Sequence, residues 1–319
     1  MDVLSYQLTR ARARGAVFSA LRRVAPWGLA FTGRRPLTAH ILLDGAGWLT
    51  PSQEEPVRLA AGDVVLATAG DPYEIVSEVG ADIETITDAR RRGSDHGPGQ
   101  ASHIVCGAYV VEGSVGKSLL ESLPRFARIP AHAQNPRHRD AISLLAAEAE
   151  GTGSGQQVLL DRLLDLNLVY ALRTWWQQEH QRAPGWYRAL TDPRLARVIQ
   201  AIHAHPERTW RVESMARTAE MSRAGFSATF KEIIGQSPGS YLTQLRMGHA
   251  EDALLRTDAT LAAIAADVGY TNEFAFATAF RRAHGLPPGQ WRATHRPTLQ
   301  REATTTAAQR DAVHRSDTL

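Results

Sequence analysis

Residues 226–241 read FSATFKEIIGQSPGSY, and fifty residues later, at 276–291, the chain reads FATAFRRAHGLPPGQW. Each stretch sets two phenylalanines four residues apart, Phe226 and Phe230 or Phe276 and Phe280, with Lys231 or Arg281 beside the second. A spacing of four puts both rings on one face of a helix. Gly235 or Gly285 then stops that helix, and a Pro-Gly pair leads into Tyr241 or Trp291. Similarity at a fixed period marks a duplicated supersecondary unit. Just upstream of each copy the pattern predicts a short helix: Val212–Thr218 with Met215 and Ala216, and Leu261–Asp267 with Ile264 and Ala265. Turns at 219–222 and 268–271 follow. The order is helix, tight turn, longer helix, twice.

A small alanine lets two helices cross closely, and Gly269 is free to take positive φ in its turn. The Phe pairs anchor the longer helix to a core, which leaves its opposite face open to a DNA major groove. Ser222 and Thr271 are expected as N-caps, and helix N-termini also attract phosphates. Phe pairs alone would suit any helical bundle; the turns and basic residues repeating in register with them point to DNA.

Charge agrees with that reading. From Asp192 to Arg296 the chain carries 13 Lys and Arg against 10 Asp and Glu, the whole of its +3 excess, so a polyanion would be met there. Asp192 before Pro193 reads as an N-cap with proline in the first turn, opening this helical region.

Residues 15–90 read instead as short strands between turns, at Ala16–Leu21, Leu37–Leu43, Gly47–Leu49, Val64–Ala67 and Tyr73–Val76, which suggests a β-barrel or sandwich. Arg90–Gln100 (RRRGSDHGPGQ) is expected as an exposed, mobile loop, and Ile104–Val111 closes the β region. Helical periodicity follows at 138–150 and 157–178, split by Gly151–Gly155. No apolar run approaches the roughly 18 residues of a membrane span, and no signal-peptide core is present. With Cys106 alone the chain can form no internal disulfide and no cysteine-rich metal site. A cytoplasmic protein is expected, with no membrane partner.

Residues 192–292, through IAADVGYTNEFAFATAFRRAHGLPPGQWR and FSATFKEIIGQSPGSYLTQLRMGHAEDALL, resemble the DNA-binding domain of the AraC/XylS family of bacterial transcription regulators. The resemblance implies two recognition helices in successive major-groove segments, joined by a long helix at about Ser240–Arg256. It places Ala224, Ser227 and Ala228, then Glu273, Phe274, Ala275 and Thr278, where relatives contact bases. These side chains are unusually small or apolar for that role. Ala224, Ala228, Phe274 and Ala275 make no bidentate hydrogen bond but suit thymine methyl groups. Hydrogen-bond readout would then fall to Arg223, Ser227, Asn272, Glu273 or Thr278, while Phe274 either faces DNA or turns into the core. Lys231, Arg281, Arg282 and Arg246 are phosphate clamps or solvated charges.

The N-terminal stretch PWGLAFTGRRPLTAHILLDGAGWL…VRLAAGDVVLATAGDPYEI, with CGAYVV, SLLESLP and LLDRLLDLNLVYALRTWW, resembles the cupin-type sensor domain of one branch of the same family. The expected fold is α+β in two domains. Residues 1–180 form a cupin-like β-barrel with flanking helices for effector sensing and dimerisation, and 181–191 a linker. Residues 192–296 form an all-α domain with tandem helix-turn-helix motifs at about 211–234 and 260–283, and 297–319 a disordered tail. Metal-binding cupins cluster His and Glu, whereas His40 stands alone on its strand and Tyr73 occupies a position where relatives often carry histidine. No metal, cofactor or catalytic residue is expected, which weighs against the alternative of a metal-dependent cupin enzyme with an appended DNA-binding domain. Trp27, His40, Trp48 and Tyr73 either line the mouth of a site for an aromatic or apolar small-molecule effector or belong to the barrel core. Cys106 lies in an apolar run, where thiols are inert. Leu159, Leu160, Leu163, Leu164, Leu168, Ala171, Leu172, Trp175 and Trp176 form a stripe wide enough to cover the barrel and pair two protomers. By resemblance the partners are double-stranded promoter DNA, RNA polymerase in the manner of an activator, and a second copy of the chain.

Overall fold

The computed structural model describes residues 19–96, 98–109, 119–151 and 153–296; the expected disordered tail at 297–319 lies outside them. The described chain falls into two compact units that divide between Ala183 and Pro184.

The first unit is built on two five-stranded sheets. One has the order β1 (Ser19–Val24), β9 (Ala101–Tyr109), β3 (Leu37–Asp44), β6 (Val64–Thr68), β10 (Phe126–Ile129). The other has the order β5 (Val57–Ala60), β4 (Ala46–Pro51), β7 (Tyr73–Val76), β2 (Gly28–Phe31), β8 (Ile83–Thr85). Alternate residues of β4 and β5, such as Leu49 and Leu59, turn inward and meet Leu29, Phe31, Leu42, Val65 and Ile75 in one apolar core. The strand at Phe126–Ile129 extends the β region beyond its expected end. It is only four residues long and mixed in polarity, and it takes its place by pairing with β6.

The stretch expected as an exposed, mobile loop is exposed at Arg90–Arg92, His96 and 98–100, but its first half is tied down. Its first residues belong to helix α1 (Ile86–Arg92), capped by Thr85, whose Oγ1 accepts from the Asp88 amide. The buried Arg23 of β1 then donates to the carbonyls of Gly93 at 2.6 Å and Ala89 at 2.9 Å, and pairs with Glu84 and Asp95 at 3.5 and 3.6 Å. A guanidinium taken from water needs acceptors, and here backbone carbonyls take its Nη donors while Glu84 and Asp95 supply the opposite charge.

Helices α2 (Pro136–Glu150) and α3 (Gln156–Gln178) pack together and complete the first unit. Asn135 caps α2, and Tyr109 of β9 donates its hydroxyl to the Leu164 carbonyl at 2.9 Å, fastening α3 to the barrel. Leu160, Leu164, Leu168, Ala171, Leu172 and Trp176 are buried, while Leu163 and Trp175 are half-buried and Leu159 is exposed.

The second unit is helical: α4 (Gly185–Ala189), α5 (Pro193–Ala204), α6 (Val212–Thr218), α7 (Arg223–Ile234), α8 (Pro238–Arg256), α9 (Leu261–Asp267), α10 (Glu273–His284) and a last helical stretch at 288–296. Residues 185–189, expected within a linker, form a structured part of this unit. Trp186 is buried, and Arg188 donates to the Ile233 carbonyl at 2.7 Å, pinning α4 to α7. Asp192 caps α5 as expected, accepting from the Arg194 amide at 2.8 Å with Pro193 in the first turn.

Candidate nucleic-acid interface

Each motif is assembled from the same parts. The rings of Phe226, Phe230, Phe276 and Phe280 are fully buried. Phe226 and Phe230 lie 5.4 Å apart and Phe276 and Phe280 5.7 Å, and each pair is closed by an aromatic from the following helix. Tyr241 meets Phe230 at 5.6 Å and Trp291 meets Phe280 at 5.7 Å, both edge-on. The recognition helices α7 and α10 are thereby held by one face, and their other faces point to solvent.

Those outer faces hold the residues expected there. Ser222, Arg223, Ala224, Ala228 and Lys231 are exposed and Ser227 is half-buried on the first; Thr271, Asn272, Glu273, Phe274, Ala275, Thr278, Arg281 and Arg282 are exposed on the second. Phe274 does not turn inward: 86 % of its surface is exposed. Ser222 caps α7, its Oγ accepting from the Gly225 amide at 3.1 Å. Arg223 reaches back to Glu213 of α6 at 3.1 Å, an exposed pair worth at most about 1 kcal/mol and easily exchanged for another anion.

Two expectations are corrected. Thr271 is not the cap of α10; Asn272 is, its Oδ1 accepting from the Ala275 amide at 2.8 Å. The second turn is one residue longer than the first, so counting from the preceding helix lands one position early. Counting four residues back from the first phenylalanine, 226 to 222 and 276 to 272, finds both caps. Arg246, expected as a phosphate clamp or a solvated charge, is half-buried and engaged by the protein's own backbone. It donates from Nε to the Pro206 carbonyl and from Nη2 to the Arg208 carbonyl, both at 2.8 Å, and lies 5.7 Å from the Tyr270 ring centroid. Burial draws its pKa below the ordinary arginine range.

Of the four positions expected either to line an effector site or to belong to the barrel core, Trp27, His40 and Tyr73 are buried in the core and Trp48 is not. Trp48 lies half-buried on the face of β4 opposite the core residue Leu49. Trp27 and Tyr73 belong to the core cluster itself. His40 bridges the two sheets, with Nε2 2.7 Å from the Tyr73 hydroxyl and Nδ1 3.2 Å from Cys106 Sγ. Phe31 stacks on Tyr73 at 5.1 Å and meets His40 at 4.4 Å, and Phe126 meets Tyr73 edge-on at 5.1 Å. Burial lowers the His40 pKa to about 3 and pushes the Cys106 thiol up, so both are neutral. Phe31 and Phe126 were not singled out in the sequence, and Cys106 only as an inert thiol. Strand pairing brings them together: β3 with β9 sets His40 opposite Cys106, β2 with β7 sets Phe31 opposite Tyr73, and β10 with β6 brings in Phe126.

Two helix-turn-helix motifs, joined by one long helix and following a barrel of two five-stranded sheets, define a double-motif DNA-binding regulator. A cupin family model matches residues 2–177 and a helix-turn-helix domain model residues 215–294. The chain is 30% identical to an AraC-like transcription regulator of Streptomyces lividans, over 92% of its own length and 98% of the relative's. It is 27% identical to the HTH-type transcriptional regulator AlkR of Acinetobacter baylyi, over 92% and 99% of the two chains. Among solved structures it is similar to the DNA-binding domain of AdpA in complex with a target DNA, at 30% identity over 34% of this chain and 96% of that one, with a TM-score of 0.33. The chain belongs to the AraC-like family of transcription regulators, and it is a DNA-binding regulator with a cupin-like N-terminal half. Among the described residues no helix is long and apolar enough to cross a membrane, and no three His, Cys, Asp or Glu side chains converge as metal ligands would.

Proposed function

We propose that the outer faces of α7 and α10 read two neighbouring stretches of promoter DNA, while the barrel half senses a small molecule and pairs two copies of the chain. The observation that carries the DNA reading is the pair of capped helices whose Phe-anchored inner faces leave Ala224, Ser227 and Ala228, and Phe274, Ala275 and Thr278, directed outward. Arg223 and Glu273 add polar groups at the two N-terminal turns. Ser222, Thr271 and Asn272 lie where a phosphate would approach a helix N-terminus. Lys231, Arg281 and Arg282 flank the other ends and attract the backbone electrostatically, so affinity falls steeply with salt.

The barrel supports a sensor for an aromatic or apolar molecule, one able to insert beside Phe31, Tyr73 and Phe126 near His40. The reading assigns it no catalysis. Pairing is supported by apolar side chains left in water on α2 and α3: Leu144, Val158, Leu159 and Leu166. In the cytoplasm a dimer on promoter DNA would present itself to RNA polymerase as an activator does.

The test is selection of DNA from a random pool by the full-length protein. Two separated half-motifs per protomer are expected, the one read by α10 rich in thymine. A single short motif unaffected by changes in either helix would overturn the tandem reading.

A further inference from the structure

Arg246 lies in the helix that joins the two motifs and touches both of them. Its two hydrogen bonds end on the carbonyls of Pro206 and Arg208, in the segment that leads into α6 of the first motif. Its guanidinium lies over Tyr270, in the turn of the second motif. Next to Tyr270, Gly269 has φ +78°, and a Cβ there would come within 2.6 Å of Arg246 Nη2 and collide with the Glu207 carbonyl oxygen. The second motif's turn is therefore pressed against the first motif's lead-in segment, with Arg246 between them.

The internal repeat separates what belongs to each motif from what joins them. Fifty residues on, Arg296 grips Asp258 at 2.7 Å, and Arg292 donates to the Ala259 carbonyl at 2.6 Å. An arginine that closes its own motif's lead-in segment is thus a feature of both copies. The contact with the other motif is not. The turn position matching Gly269 is Glu220, which carries φ +55° and points a full side chain outward to Arg197 at 3.0 Å. This turn geometry accepts a side chain; at 269 it is the neighbouring motif that forbids one.

We propose that Arg246 is a positioning residue that fixes the angle between the two recognition helices by holding the turn at Gly269–Tyr270 against residues 206–208. The inference rests on the DNA reading above for its consequence, though not for its geometry. Two helices linked at a set angle engage a two-part site as one rigid ligand, and most of the gain from tethering is lost when that angle is free.

The test compares the full-length protein with Arg246→Gln, Arg246→Lys and Gly269→Ala, the last pushing on the same contact while leaving the guanidinium in place. Binding is measured to the two-part DNA selected by the wild type, to versions with one or two base pairs inserted between the halves, and to each half alone. Wild type should strongly prefer the selected spacing. In Arg246→Gln and Gly269→Ala that preference should shrink roughly tenfold while binding to single halves is unchanged; Arg246→Lys, which keeps the charge but not the planar fork, should fall between. Spin labels on Ala228→Cys and Thr278→Cys read the same angle without DNA: one narrow distance in the wild type, a broadened one in the variants. A uniform loss across all spacings, with a salt slope lower by about one and an unchanged label distance, would make Arg246 a phosphate contact and overturn the proposal. If the wild type bound no DNA at low salt, the DNA reading would fall, and the label distances would still decide whether Arg246 holds the angle.

Discussion

Phe274 exposes an aromatic ring to water at the start of α10, beside Ala275 and on the side away from Phe276 and Phe280. Covering a phenylalanine side chain is worth about 1.5–3 kcal/mol, and a thymine methyl in the major groove is an apolar group within such a ring's reach. Replacing thymine by uracil in the half-motif read by α10 should therefore weaken wild-type binding about tenfold, and leave Phe274→Ala, already weakened, nearly indifferent. Equal losses for both proteins would remove the methyl contact from the account. The outward direction of this ring was available in the sequence, because two residues along a helix from the buried Phe276 turns a side chain to the opposite face. The cap of α10 was equally available, at Asn272, to a count anchored on the phenylalanines. The role of Arg246 was not, since its partners are backbone carbonyls some forty residues away, and no local pattern marks them.

Helices were more legible than strands. Asn135, Asp192, Ser222 and Gly285 announce helix ends through bonds within two to four residues, and the expected and observed helices differ by at most two residues at their ends. The order at Gly93–Asp95 and in strand β10 was not legible because what holds them lies far off in sequence, in Arg23 for one and in β6 for the other. On α3 the wide apolar stripe is buried or half-buried except for Leu159, while Val158 and Leu166, outside the stripe, and Leu144 of α2 are also in water. If these exposed side chains pair two copies, Leu159→Glu with Leu166→Glu should shift the protein to monomer in sedimentation while the barrel's thermal midpoint moves little. A dimer that survives both charges would place the pairing surface elsewhere.

At the scale of the whole molecule, each unit keeps neutral histidine in its interior, and in the first unit His138, lowered by burial to about 4, joins His40. Burial lowers His40 in the first unit to about 3, and in the second burial, helped by the charge of His249, lowers His203 to about 3. Unfolded, all three titrate near 6.5. Between those values the unfolded chain binds the extra protons, so stability is complete above pH 6.5 and declines as pH falls, by about 1.4 kcal/mol per pH unit for each histidine. Thermal midpoints of both units should drop between pH 6.5 and 5, and a flat profile over that range would contradict the assignment. The unequal turns of the two motifs have a further consequence. Because caps and phenylalanines keep a constant offset of fifty while the turns do not, positions 224, 228 and 231 correspond to 274, 278 and 281 in spite of the extra residue. A graft of one helix into the other motif, cut at Ser222 and Asn272, would therefore keep its frame.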